Sequence, residues 1–266
     1  MWKIFLRIYL LPAAFFLTFL DCSNTPQPEN VFASVFNQYA VEGTFVMQEL
    51  HANKTYFYNK NRSSIRFIPA STFKILNSLI ALETGAIVDT NVIIKWDGIE
   101  RSIKPWNRDH NMRTAIQVSA VWFYQELARR IGEERMQDFV NKADYGNKDI
   151  SGAIDLFWLD GGLRISAQEQ VHFLKKLYEN NLPFSPPVLA KVKDILVVDK
   201  GPDYVLRAKT GWGGDAKPQI GWYVGYLEKG SEVYFFALNI DINKDEDSKA
   251  RVGIVRKIFH DLRLLE

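Results

Sequence analysis

Apolar residues recur at helical spacing near the start of the chain. Val31, Val35, Phe36 and Tyr39 predict a helix over 31–41. Residues 44–50 and 54–60 read as two strands joined by a short turn at His51–Asn53. Pro69 precedes a strongly apolar stretch, and the pattern predicts a helix over 71–84 that Gly85 ends. Residues 113–130 and 133–143 read as helices. Another helix starts at Ser166, where Ser-Ala-Gln-Glu has the form of a capping box. A further helix is expected over 187–197.

Beyond residue 200 the character changes. Tyr204–Lys209, Gln219–Glu228 and Glu232–Asp241 are strand-like and rich in Val, Tyr, Trp and Phe, with Lys229-Gly230 turning the last pair. An amphipathic helix over 248–263 closes the chain. The order is a helix and two strands, a helical middle, then three strands and a helix. It predicts an α/β fold of the α+β type: an antiparallel sheet flanked by helices, with an inserted all-helical subdomain. The sheet lobe is expected over 23–70 and 200–266, and the helical lobe over 85–165. No internal repeat is present.

Residues 1–22 break this pattern. Lys3 and Arg7 precede a mostly apolar run over 8–20. The segment reads as a cleaved signal peptide, leaving a catalytic domain over 23–266 in a secreted, periplasmic location, with a Gram-negative bacterium as the expected host. The alternatives are an uncleaved anchor, or lipid attachment at Cys22, which Phe19 and Asp21 suit poorly. No other stretch approaches the roughly 20 apolar residues that a membrane span needs.

Composition narrows the function. With 266 residues the chain buries most of its apolar surface without a metal or disulfide staple. Net charge is +2 and no long basic run occurs, so nucleic acid is not an expected partner. Cys22 is the only cysteine, which excludes an intramolecular disulfide, a cysteine nucleophile and a thiolate metal site in the mature chain. His51, His110, His172 and His260 lack metal-ligand spacing, so no metal is expected.

The candidate chemistry begins at Ser71-Thr72-Phe73-Lys74. Three residues are nearly one helical turn, so Ser71 and Lys74 share a face. A serine hydroxyl is a weak nucleophile and needs an adjacent base, and a helix start favours an oxyanion. Read alone, Ser71 reads first as a helix cap and Lys74 as a solvated side chain. Lys209-Thr210-Gly211 ends a predicted strand and offers charge, a hydroxyl and close backbone approach to an anion, or is an ordinary strand end. Ser119-Ala120-Val121 places a second serine in the helical middle. Tyr145-Gly146-Asn147 reads as a helix stop and turn. Phe157-Trp158-Leu159 includes an indole whose N–H demands an acceptor once buried.

Taken together and in this order, these motifs resemble the penicillin-recognising serine enzymes, and within them the class D, oxacillinase-type β-lactamases. The resemblance spans the mature chain and implies a DD-peptidase/β-lactamase-like fold. It implies that Ser71 is acylated and that Lys74, carboxylated with carbon dioxide or bicarbonate, is the general base. Ser119 is implied as proton relay. Phe73, Val121, Trp158 and Leu159 would wall the modified lysine, with Trp158 donating its N–H. The backbone N–H groups of Ser71 and Trp212 would form an oxyanion hole. Lys209, Thr210, Gly211 and Arg251 would hold the substrate carboxylate, with Arg256 as the alternative to Arg251. Residues 212–218 would line the mouth of the site. The expected enzyme is a monomer or homodimer acting on a small-molecule β-lactam. A β-lactam-binding sensor domain and a cell-wall DD-peptidase share the serine–lysine chemistry.

Elementary chemistry supports the modified lysine. An ordinary lysine, of pKa about 10.4, has no lone pair to accept a proton at neutral pH. An apolar wall disfavours the ammonium and frees the amine to react with carbon dioxide. The resulting carbamate persists only if hydrogen-bonded.

Overall fold

The computed structural model describes residues 27–215 and 217–266. The predicted signal peptide and Cys22 lie outside the described residues. Helix α1 covers Pro28–Tyr39, with Val31, Phe32, Val35 and Phe36 as its buried stripe. Strands β1 (Gly43–Glu49) and β2 (Thr55–Tyr58) follow as a hairpin, and a short helix α2 (Lys60–Ser63) comes next. The predicted helix over 71–84 divides. Ala70–Phe73 form one 3-10 turn, and α3 runs Lys74–Glu83.

The predicted helix over 113–130 also divides. Helix α4 (Met112–Val118) ends at Ser119, whose φ of 57° is left-handed, and α5 (Val121–Ile131) starts two residues later. Apolar periodicity continues through the break because both helices face one core, so the pattern does not register it. Helix α6 spans Glu133–Ala143, and α7 spans Ala167–Tyr178 behind a reciprocal capping box between Ser166 and Glu169. Helix α8 (Pro186–Ile195) stops short of the expected 197, because Val197–Lys200 leaves it to pair with the next strand as β3.

Strands β4 (Tyr204–Gly213), β5 (Gln219–Lys229) and β6 (Glu232–Ile242) lead into helix α9 (Asp247–Asp261). Among the described residues the strands form one sheet in the order β2-β1-β6-β5-β4-β3, antiparallel throughout. Period-two alternation separates its faces. Trp222, Val224 and Tyr226 join the helical core, while Tyr223 and Leu227 pack towards α1 and α9. Both faces of β5 are thus buried. On one face α7 packs against β1, β5 and β6, on the other α9 packs against β4, β5 and β6, and α3 lies in the core against α5, α6 and α8. No helix among the described residues is long and apolar enough to cross a membrane.

Candidate active site

The site forms where the Ala70–Phe73 turn meets β4. Ala70 holds φ at 47°, a conformation an alanine keeps only where the surroundings enforce it. Gln170 Nε2 donates to Thr72 Oγ1 at 2.8 Å, and Thr72 Oγ1 donates to Pro69 O at 2.7 Å. On the other side Gly211 lets β4 approach: a β-carbon there would stand 3.1 Å from both Pro69 O and Thr72 Cγ2. The turn is therefore fixed from two sides, by α7 and by β4.

Ser71 sits at the edge of a cavity of about 200 Å³, and its side chain is nearly buried. Lys74, at the start of α3, is fully buried, with Nζ 2.6 Å from Ser71 Oγ. Burial, reinforced by the charge of Lys209, holds the Lys74 amine well below the ordinary lysine range. Ser119 Oγ is 3.4 Å from Lys74 Nζ and 3.0 Å from Lys209 Nζ. The left-handed turn between α4 and α5 places this hydroxyl between the two amines. Burial also lowers Lys209, to about 7, with Arg251 adding to the shift.

An aromatic cluster is built on Phe73, the residue before Lys74. Phe73 stacks on Trp158 and meets Phe157 and Tyr145 edge-on. The Tyr124 ring lies 5.6 Å from Lys74 Nζ, and Ser78 links the Tyr124 hydroxyl, at 3.1 Å, to the Lys74 carbonyl, at 2.8 Å. Trp158 is fully buried, and its Nε1 has no acceptor among the described residues. Val121 and Leu159 line the cavity with Ser71, Ser119, Thr210, Gly211, Trp212 and Arg251.

The two arginines separate cleanly. Arg251 Nη1 donates to Gly211 O at 2.5 Å, its guanidinium lies 5.8 Å from the Trp212 ring, and burial lowers its pKa to about 10. Arg256 pairs with Asp199 at 2.6 Å, away from the catalytic cavity.

The described chain matches the penicillin-binding-protein transpeptidase domain over residues 29–260. Beta-lactamase OXA-5 of Pseudomonas aeruginosa is 48% identical over 227 residues, 84% of this chain and 85% of that protein. Beta-lactamase OXA-48 of Klebsiella pneumoniae is 44% identical over 86% of this chain and 87% of its own. The solved class D β-lactamase FUS-1 (OXA-85) of Fusobacterium nucleatum superposes with a TM-score of 0.87 at 41% identity, covering 89% of this chain and 99% of that one. This chain belongs to the class D β-lactamases.

In this class D β-lactamase the structure brings together the residues singled out in the sequence: Ser71, Lys74, Ser119 and Lys209 form one contiguous group. Tyr145-Gly146-Asn147 stands apart from the cavity. Asn147 Nδ2 donates to Gly162 O at 2.9 Å and Oδ1 accepts from Arg164 N at 2.8 Å, so this turn anchors the loop that carries Trp158. Sequence reading missed Ile103 and Trp106, which wall the cavity from an irregular loop, and the buried Tyr124 and Gln170. The one available signal was a large aromatic beside a proline in a polar stretch, Pro105-Trp106-Asn107. Among the described residues no group of His, Cys, Asp or Glu could hold a metal.

Proposed function

We propose that the enzyme hydrolyses the amide bond of β-lactams through an ester on Ser71. The observation that carries this reading is the enclosed Ser71–Lys74 pair, 2.6 Å apart at the edge of a ligand cavity. Lys74 takes the Ser71 proton as Oγ attacks the lactam carbonyl carbon. The backbone N–H groups of Ser71 and Trp212 receive the developing oxyanion. The carbon–nitrogen bond breaks, and Ser119 passes a proton to the leaving nitrogen. Water, giving up a proton on the Lys74 side, cleaves the ester and releases Ser71. Lys209, Thr210 and Arg251 orient the substrate carboxylate, with Gly211 giving the room for it.

The surroundings of Lys74 fit a carboxylated side chain. Burial disfavours the ammonium, the Trp158 N–H has no other acceptor among the described residues, and Phe73, Val121 and Leu159 present apolar walls. Once formed with carbon dioxide, such a group supplies an anionic base at neutral pH. The deciding experiment is a steady-state assay of the purified mature chain with a penicillin and a chromogenic cephalosporin, with and without bicarbonate. Turnover that bicarbonate raises supports the reading. Stable acylation without turnover overturns it in favour of a sensor. We also read residues 1–22 as an export signal, and mass spectrometry of periplasmic protein should find them removed.

A further inference from the structure

Two tryptophans interlock beside Ser119. Trp106 Nε1 donates to Val118 O at 2.8 Å, and Trp122 Nε1 donates to Trp106 O at 2.8 Å. Val118 ends α4, so its carbonyl is one of the last four that the helix leaves without an internal partner. The Trp106 indole caps it. Ser119 follows immediately, in the left-handed conformation that breaks the helical run. Trp122 lies just beyond the break, in the first turn of α5. The Lys104–Trp106 turn is thereby tied to both sides of the break.

A third contact fixes the same turn. The buried His110 sets Nε2 3.0 Å from Pro105 O. A carbonyl only accepts, so Nε2 carries the hydrogen. A serine at positive φ is uncommon, and surrounding bonds help to hold it there. Ser119 N and Ala120 N bond back into α4, to Ile116 O and Ala115 O, and Trp106 Nε1 holds the Val118 carbonyl just before them. Among the described residues, Trp122 is buried and stays outside the catalytic cavity, and its indole N–H meets the cavity wall at Trp106.

We propose that Trp122 and Trp106 form one positioning latch for Ser119. The latch fixes the turn that holds Ser119 Oγ between Lys74 and Lys209, and it seats Trp106 as a wall of the cavity. The proposal rests on the reading above in which Ser119 passes the proton during ring opening. That step belongs to acylation. Cleavage of the ester draws on Lys74 and leaves Ser119 idle. A loosened latch therefore slows acylation selectively, whereas a general loss of packing affects both steps.

The test is a pre-steady-state measurement of acylation and deacylation with a chromogenic cephalosporin. The variants are Trp122→Phe, Trp106→Phe, the double variant and Ser119→Ala. Each phenylalanine retains a ring and removes the N–H. Loss of one net hydrogen bond corresponds to about a fivefold effect, so each Trp variant should acylate about fivefold or more slowly. Deacylation should stay within about twofold of the parent. Because the two bonds act as one unit, the double variant should acylate no more slowly than Trp106→Phe alone. If Trp122→Phe does not fold, Trp106→Phe, whose indole is half-buried, carries the test. Parental acylation in both Trp variants, beside a slow Ser119→Ala, overturns the latch. Equal slowing of both steps also overturns it. Parental acylation in Ser119→Ala itself shows instead that the catalytic reading of Ser119 fails.

Discussion

The indole of Trp158 stacks on the ring of Phe73, with centroids 5.4 Å apart and planes 24° apart. Phe73 immediately precedes Lys74, and Phe73, Lys74 and Trp158 are all fully buried. A buried N–H left without an acceptor costs about 1–3 kcal/mol. The proposed carboxylate on Lys74 would remove that cost.

Trp158→Phe should therefore preserve much of the stack while removing the donor. Deacylation should fall about tenfold or more, since a hydrogen bond to a charged group contributes roughly 1.5–3 kcal/mol. Intact-mass spectrometry of the variant with a penicillin should find the adduct accumulating on Ser71, and excess bicarbonate should restore part of the turnover. Trp158→Ala, which also opens the pocket to water, should lose more. Normal turnover by either variant without bicarbonate would contradict the role given to Trp158.

Arg251 and Arg256 provide a paired comparison on one helix. Arg251→Ala should raise KM for penicillins about tenfold or more, the size of one lost charge-assisted contact. Arg256→Ala breaks the pair with Asp199 outside the cavity and should leave KM within about twofold, because exposed pairs contribute only about 0–1 kcal/mol. The reverse ranking in steady-state kinetics would move the carboxylate site.

Gly146 holds φ at 57°, and a β-carbon there would stand 2.1 Å from Arg164 O. Gly146→Ala should destabilise the fold by about 2–3 kcal/mol, the scale of a strained backbone position, measured as a lower urea midpoint. Activity should fall with it, because the same turn ties down the loop bearing Trp158.

Stability should also depend on pH in a defined window. Burial depresses Lys74 and Lys209 in the folded chain, Lys209 to about 7, whereas an unfolded lysine titrates near about 10.4. Between those values the unfolded state binds more protons, so stability rises with pH from about 7 to about 10. Above that window the sign reverses. Burial raises Tyr124, Tyr145 and Tyr226, so the unfolded state then loses protons that the folded state keeps. Urea midpoints in bicarbonate-free buffer should climb and then drop, and Lys209→Met should climb less steeply. A profile that falls between pH 7 and 10 would mean that neither amine is neutral in the fold.

Much of this fold was legible in the sequence because its signals are local. The Ser166 capping box and the Lys229-Gly230 turn each depend on a few adjacent residues, and both stand where expected. The break at Ser119 was not legible. Its cause is a left-handed residue supported from a distant loop, while the apolar period runs on through it. Strand β3 was hidden for a similar reason: Val197–Lys200 continues an apolar run and becomes a strand only by pairing with β4. At the site, Ser71, Lys74, Ser119 and Lys209 could be named from short motifs. Ile103, Trp106 and Tyr124 could not, because their roles come from the space into which the fold delivers them.

The close approach of Gly211 to Pro69 and Thr72 has a consequence for how the enzyme fails. The nucleophile's turn is wedged between β4 and α7, so it should open with the most slowly exchanging part of the molecule rather than with a mobile rim. Its amides should be among the last to exchange with deuterated water. Local fraying of the termini or of exposed loops leaves the serine in place. Inactivation on heating should accordingly track the loss of the whole fold, with no partly melted, inactive species before it.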